Sequence, residues 1–361
     1  MKAAIPATNE ACLGWIEATL APLPLPPGRS SRDLVRSAIR LEPATARIPC
    51  AFRSPYGTDF FELAELERLL DCPGDSSKPP GTVYTDEWGV GFRRTRFAWD
   101  EVINHPLPDL SNVDAFALPN LAAPERTRRL ASFVRQAQAA GKYVVGADPV
   151  LLLERVCGLM GFENAMTAPF TQPRGFETLL DRLTDLTVDC IGRLADLGGV
   201  DGFMTWQDHG QQHGPLMKPS LFREFYEPRY ARIVEASHRA GMDFFWHTCG
   251  QVAELLSDMI EIGVDVVQLD QPRLLGHRAL AERFGGKVCF WNAVDIQWAT
   301  TPGITTDDVT AEIAAMLDPF SGVGVMARHY GQPDDIGLSA EFHRASALAF
   351  LEHGPGGSMR P

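Results

Sequence analysis

The sequence predicts an α/β fold, an eight-stranded (α/β)8 barrel of the TIM type with an N-terminal extension and an inserted hairpin. Three observations predict it. From about residue 140, short apolar, β-branched or aromatic runs alternate with longer stretches of 3.6-residue periodicity, the pattern of parallel βα units. The short runs are continuously apolar, as strands buried on both faces are. Six or seven such runs are closer to a closed eight-stranded barrel than to two domains, whereas the length of 361 residues, which at ~150 per domain suggests two, does not choose alone because such barrels exceed ~250 residues as single units. A doubly wound sheet is the alternative on pattern alone.

Taken in order, residues 1–30 predict a short amphipathic helix around Ala11 to Leu20, then Pro22-Leu23-Pro24-Leu25-Pro26-Pro27-Gly28, a stiff extended linker. The barrel occupies 31–353. Arg47 to Phe52 reads as its first strand, and Thr82 to Arg96, with Asp86-Glu87-Trp88-Gly89-Val90-Gly91, as the inserted hairpin. Six further strands are Lys142–Ala147, Gly202–Trp206, Asp243–His247, Val264–Leu269, Val288–Asn292 and Gly322–Ala327. Ser220 to Ala240 is a helix opened by Pro219 and Ser220 and closed by Gly241, which Pro228 should kink or split. Residues 354–361 form a disordered tail.

Composition narrows the partners. With 33 Lys+Arg against 46 Asp+Glu the chain carries −13, so nucleic acid and anionic membranes are disfavoured. No run of ~18 apolar residues could span a bilayer. The N-terminus lacks the apolar core of a secretory signal, which implies a cytoplasmic address. Seven cysteines, odd in number and scattered, are not a disulfide framework.

In such barrels functional groups lie at the C-terminal ends of strands. There, Asp243-Phe244-Phe245-Trp246-His247 runs into Thr248-Cys249-Gly250, and the spacing puts His247 and Cys249 on one face of an extended chain. An imidazole and a thiol so placed can chelate a thiophilic cation such as zinc. His329, after the last strand, is the candidate third ligand, leaving a fourth position open. The run Gln207-Asp208-His209-Gly210 offers Asp208 and His209 as acid/base groups, against the blander reading of a polar turn. Arg53 and Tyr56 could meet a carboxylate. Trp206, Gln207, Asp295 and Tyr330 complete the substrate-binding candidates, with Asp295 equally placed to cap the next helix. Aromatic residues at strand ends (Trp206, Phe244, Phe245, Trp246, Trp291) suit the walls of a flat ligand or plain barrel packing. The Gly322–Ala327 Gly-x-Gly-x-x-Ala run lies inside a strand and fails the dinucleotide-binding context.

The stretch Asp208 to Gly250, with Gly214-Pro215-Leu216-Met217-Lys218-Pro219-Ser220-Leu221-Phe222-Arg223-Glu224-Phe225 and His247-Thr248-Cys249-Gly250, resembles the uroporphyrinogen decarboxylase-like superfamily, nearest its cobalamin-dependent methyltransferase branch. Arg32-Asp33-Leu34-Val35, Asp86-Glu87-Trp88-Gly89, His105-Pro106-Leu107 and Ala168-Pro169-Phe170-Thr171 extend the resemblance over roughly 31–350. It implies a barrel with its pocket at the C-terminal mouth. It departs in two places. The arginine-rich loop that grips propionates in true decarboxylases is replaced by Phe52-Arg53-Ser54-Pro55-Tyr56-Gly57, and His329 stands where the methyltransferases carry a later zinc-binding cysteine.

The expectation is a zinc-dependent methyltransferase exchanging a methyl group between a small thiol or methyl ether and a corrinoid (cobalamin), borne on a partner protein or supplied as a cosubstrate. A metal-free decarboxylase, with Asp208 stabilising a protonated intermediate and Arg53 holding a carboxylate, is the second enzymatic reading. A corrinoid- or tetrapyrrole-binding barrel without turnover is the third.

Overall fold

A computed structural model of the protein describes residues 10–44, 47–52, 54–71, 79–96, 100–331 and 336–353. Eight parallel strands build the barrel: β1 (Cys50–Ala51), β2 (Phe60–Glu62), β3 (Tyr143–Ala147), β4 (Gly202–Trp206), β5 (Asp243–Thr248), β6 (Val266–Leu269), β7 (Cys289–Asn292) and β8 (Val325–Arg328). They pair in the order β1-β8-β7-β6-β5-β4-β3-β2. The two ends of that order meet where Asp59 N–H donates to the Cys50 carbonyl at 2.7 Å and Ala51 bridges Thr58.

Residue parity divides the core. Tyr143, Met204, Phe245, Val266, Trp291 and Met326 fill the barrel interior. Their chain neighbours Val144, Phe203, Phe244, Val267, Phe290 and Val325 belong to the cluster between strands and helices. The helix Ser31–Ile39 supplies Val35, Ala38 and Ile39 to the interior cluster. Ser30 and Asp33 cap it reciprocally. Lys142 donates to the carbonyls of Ala21 (2.7 Å) and Thr58 (2.6 Å), which ties the N-terminal extension to the barrel.

Three strands, Val83–Thr85, Gly91–Arg93 and Glu101–Asn104, form an antiparallel sheet where a two-stranded hairpin was expected. The expected Ser220–Ala240 helix is broken as Pro228 requires. Pro219–Leu221 leads into a π-helical turn, Phe222–Tyr226, and the α-helix resumes over Glu227–Arg239. A proline ring clashes with the carbonyl four residues back. The wider turn makes room, and Arg229 Nη1 donates to the carbonyls of Glu224 (3.4 Å) and Phe225 (3.1 Å). No helix of the described residues is long and apolar enough to cross a membrane. The tail 354–361 lies outside the described residues.

Candidate metal centre

The loops after β4 and β5 lie backbone against backbone. Gln211 bridges Gln251, and a Cβ on Gly250, where φ is +79°, would stand 2.3 Å from the Gly210 carbonyl carbon. A Cβ on Gly210 would in turn meet the Cys249 carbonyl oxygen at 2.4 Å. Only glycine permits this approach, and it brings Asp208 from one loop over His247 and Cys249 from the other.

Imidazole, thiol and carboxylate therefore converge. Single ligand atoms from Asp208, His247 and Cys249 all lie within 4.8 Å of one another. His247 Nε2 stands 3.5 Å from Asp208 Oδ1 and 3.7 Å from Cys249 Sγ. Asp208 Oδ1 also accepts the Cys249 N–H at 3.2 Å. Behind the ring, His247 Nδ1 bonds Gln268 Oε1, while Gln268 Nε2 donates to Asp270 at 2.7 Å. The second bond fixes the amide so that its oxygen faces the imidazole. Nδ1 is then the protonated nitrogen, and the Nε2 lone pair points at the carboxylate and thiol, the support that metal-ligating histidines have. Asp208 is held by its own N–H, donated to Glu154 Oε1 at 2.7 Å.

The electrostatics suit a cation. Burial alone would depress the His247 imidazole, but the Asp208 hydrogen bond and the Asp270 and Asp208 charges raise it overall. Burial would lift the Asp208 carboxyl, yet His247 and Cys249 hold it below the usual carboxylate range. Burial and the same carboxylates push the Cys249 thiol well above its ordinary value, a penalty a bound metal reverses because a coordinating thiol is deprotonated. Burial brings Glu154 to about 7. One nitrogen, one sulfur and one oxygen leave an open fourth position, the pattern of catalytic zinc sites.

His329 is not in this group. Along β8, Val325 and Ala327 face the helices and Met326 and Arg328 face inward, so His329 falls on the outward parity. It also lies three strands from β5. Its Nε2 is 3.3 Å from Ser346 Oγ, and its ring packs on Phe52 and His343. His209, expected beside Asp208 as an acid/base group, is fully buried among Phe222, Tyr226, Tyr230 and Trp246. Its Nε2 bonds Tyr230 Oη at 2.7 Å, and burial lowers it to about 3, which keeps it neutral.

Gln207 has both amide atoms engaged: Oε1 accepts from Leu153 N–H at 2.7 Å and Nε2 donates to Thr205 at 2.8 Å. Asp295 caps the helix Ile296–Ala299, accepting from the N–H groups of Gln297 and Trp298. Trp206 belongs with the interior cluster and Trp291 is inside it, whereas Phe244 and Trp246 face outward. Tyr56 and Tyr330 are half-buried, Tyr56 edge-on to His329 at 5.9 Å. Arg53 lies outside the described residues. Sequence reasoning places Asp270 just past a strand but ranks Asp295 above it, and it does not find Gln268 or Glu154. For Gln268 the signal was available: a polar residue two before Asp270, inside an apolar strand.

Known proteins resemble this chain at two levels. A model of the uroporphyrinogen decarboxylase (URO-D) family matches residues 144–325. Among solved structures, the chain is similar to a methyltransferase from Methanosarcina mazei, at 17% identity and TM-score 0.65 over 89% of this chain and 98% of that one. An L-ribulose 3-epimerase matches at 12% identity and TM-score 0.40, over 62% of this chain and 80% of that one. A search of curated proteins finds no match.

Proposed function

The chain belongs to the uroporphyrinogen decarboxylase family, and from that premise we propose that it is a zinc-dependent methyltransferase exchanging a methyl group between a small thiol or methyl ether and a corrinoid. The observation that carries the reading is the convergence of Asp208, His247 and Cys249, with His247 oriented by Gln268. The fold likeness to a methyltransferase over nearly the whole of both chains supports it.

His247, Cys249 and Asp208 would hold the metal, Asp208 taking the place expected for His329. Zinc bound there would supply Lewis acidity to a thiol sulfur or an ether oxygen. Gln268 keeps the imidazole in the ligating tautomer. Glu154 anchors the loop that carries Asp208. Trp206 and Trp291 wall the interior beneath the mouth, and a corrinoid-carrying partner protein would meet that mouth from outside, in the cytoplasm.

Metal analysis of purified wild type beside a His247→Ala, Cys249→Ala double variant tests the reading. Stoichiometric zinc in the wild type and none in the variant is the expected result. Zinc-free wild type, or a variant that keeps the metal, removes it. The decarboxylase reading rests on Asp208 and on Arg53, which lies outside the described residues. It requires activity that survives Cys249→Ala but not Asp208→Ala.

A further inference from the structure

On the far side of the barrel mouth from His247 stands a cation the methyl-transfer reading does not use. Arg328 ends β8 on the inward parity, and only 11% of its side chain is exposed. Its guanidinium lies 4.5 Å over the Trp291 ring. Nε donates to the His329 carbonyl at 3.3 Å. Nη1 is buried and has no hydrogen-bond partner among the described residues. The nearest carboxylate among the described residues, Glu62, is 3.9 Å from Nη2, beyond hydrogen-bond reach.

A buried guanidinium that has no bonded counter-ion among the described residues is costly unless something completes it. The stacking on Trp291 fixes the plane of the fork, and its Nη1/Nη2 edge is the one that carries the unbonded Nη1. That edge matches a carboxylate bidentately. The parity that takes Arg328 inward also takes His247 inward on β5. Three strand steps of ~4.8 Å separate them along the curved sheet, and Arg328 lies two residues past Met326, which is in register with His247, so their backbones are within ~16 Å of each other.

We propose that Arg328 is the anchor for a carboxylate on the small substrate, placing a carboxylate-bearing thiol or methyl ether with its heteroatom toward Asp208, His247 and Cys249. The orientation of the substrate rests on the methyltransferase reading; the carboxylate anchor does not. Glu62 competes with the substrate for the guanidinium, so it tunes the affinity without touching the ligand.

Calorimetric binding of two matched pairs tests this: mercaptopropionate beside mercaptopropanol, and anisate beside anisyl alcohol. At least one acid should bind wild type about 10- to 100-fold tighter than its alcohol, the range of a hydrogen bond to a charged group. Arg328→Gln should abolish that preference. Glu62→Gln should tighten acid binding and leave the alcohol unchanged, a gain that an unfolded or damaged variant cannot imitate. An acid preference absent from the wild type, retained in Arg328→Gln or untouched in Glu62→Gln overturns the proposal, as does no acid binding up to ~10 mM. Zinc content measured on the same samples separates the two readings. A zinc-free wild type that still prefers acids refutes only the metal, and a zinc-loaded one without preference refutes only the anchor.

Discussion

Gly250→Ala is expected to damage both stability and metal binding, and the structure supplies its own control. At Gly250 φ is +79°, and an added Cβ would lie 2.3 Å from the Gly210 carbonyl carbon, 2.6 Å from the Gln211 nitrogen and 2.7 Å from the Gly210 oxygen. All three are backbone atoms, so no side chain can swing aside. At Gly241 φ is +75°, nearly the same, but nothing lies within 4 Å. Left-handed backbone costs an alanine about 1–2 kcal/mol at either site. Overpacking adds about 1–3 kcal/mol at Gly250 alone. Gly241→Ala should therefore lose about 1–2 kcal/mol and Gly250→Ala about 2–5 kcal/mol in urea unfolding of the metal-free protein. Relief of the overlap must push the Gly210 loop, and Asp208 two residues before it, away from His247 and Cys249. Zinc affinity in competition titrations should fall about 10- to 100-fold in Gly250→Ala, the usual effect of disturbing a ligand's support, and stay unchanged in Gly241→Ala. Equal losses of stability in the two variants, or wild-type zinc affinity in Gly250→Ala, would refute the argument that backbone contact positions the site.

Other perturbations follow from single bonds. Gln268→Leu removes the acceptor for His247 Nδ1 and should weaken zinc binding about 10- to 100-fold with little change in fold, read by competition titration and circular dichroism. Asp295→Ala leaves the N–H groups of Gln297, Trp298 and Arg273 without their acceptor and should cost about 1–2 kcal/mol in denaturant unfolding while zinc stays bound. Burial raises the Asp148 carboxyl above its ordinary 3.8. The folded chain thus holds that proton more tightly than the unfolded chain, and the contribution is present below pH ~3.8 and lost as pH rises through the raised value. Asp148→Asn should accordingly lose less stability than wild type between acid and neutral pH, and parallel pH profiles would contradict this.

Much of the barrel is legible in the sequence because its strands are buried on both faces. Gly202–Trp206 is found with its exact ends, and Asp243–His247 extends only to Thr248. Phe60–Glu62 was missed, since three residues carry no periodicity. The third strand of the inserted sheet, Glu101–Asn104, was also missed, exposed along its whole length and so without an apolar pattern. In the site, the His-x-Cys spacing alone suffices to put His247 and Cys249 on one face. The choice of His329 fails to reach them because position at a strand end says nothing of parity. Val325 and Ala327 set the outward phase, and the inward residue is its neighbour Arg328. Asp208 joins the pair through a loop contact between Gly210 and Gly250, a long-range fact that no local spacing encodes. His209 reads as chemistry from its polar surroundings in sequence, yet the π-turn delivers Phe222 and Tyr226 against its ring.

Zinc-edge X-ray absorption of the purified protein tests the central claim most directly. The Asp208–His247–Cys249 centre predicts a four-coordinate metal with one sulfur at about 2.3 Å and the remaining nitrogen and oxygen ligands at about 2.0–2.2 Å. The sulfur should disappear in Cys249→Ala. A protein that holds no zinc, or a zinc shell with no sulfur or with two, would contradict the account.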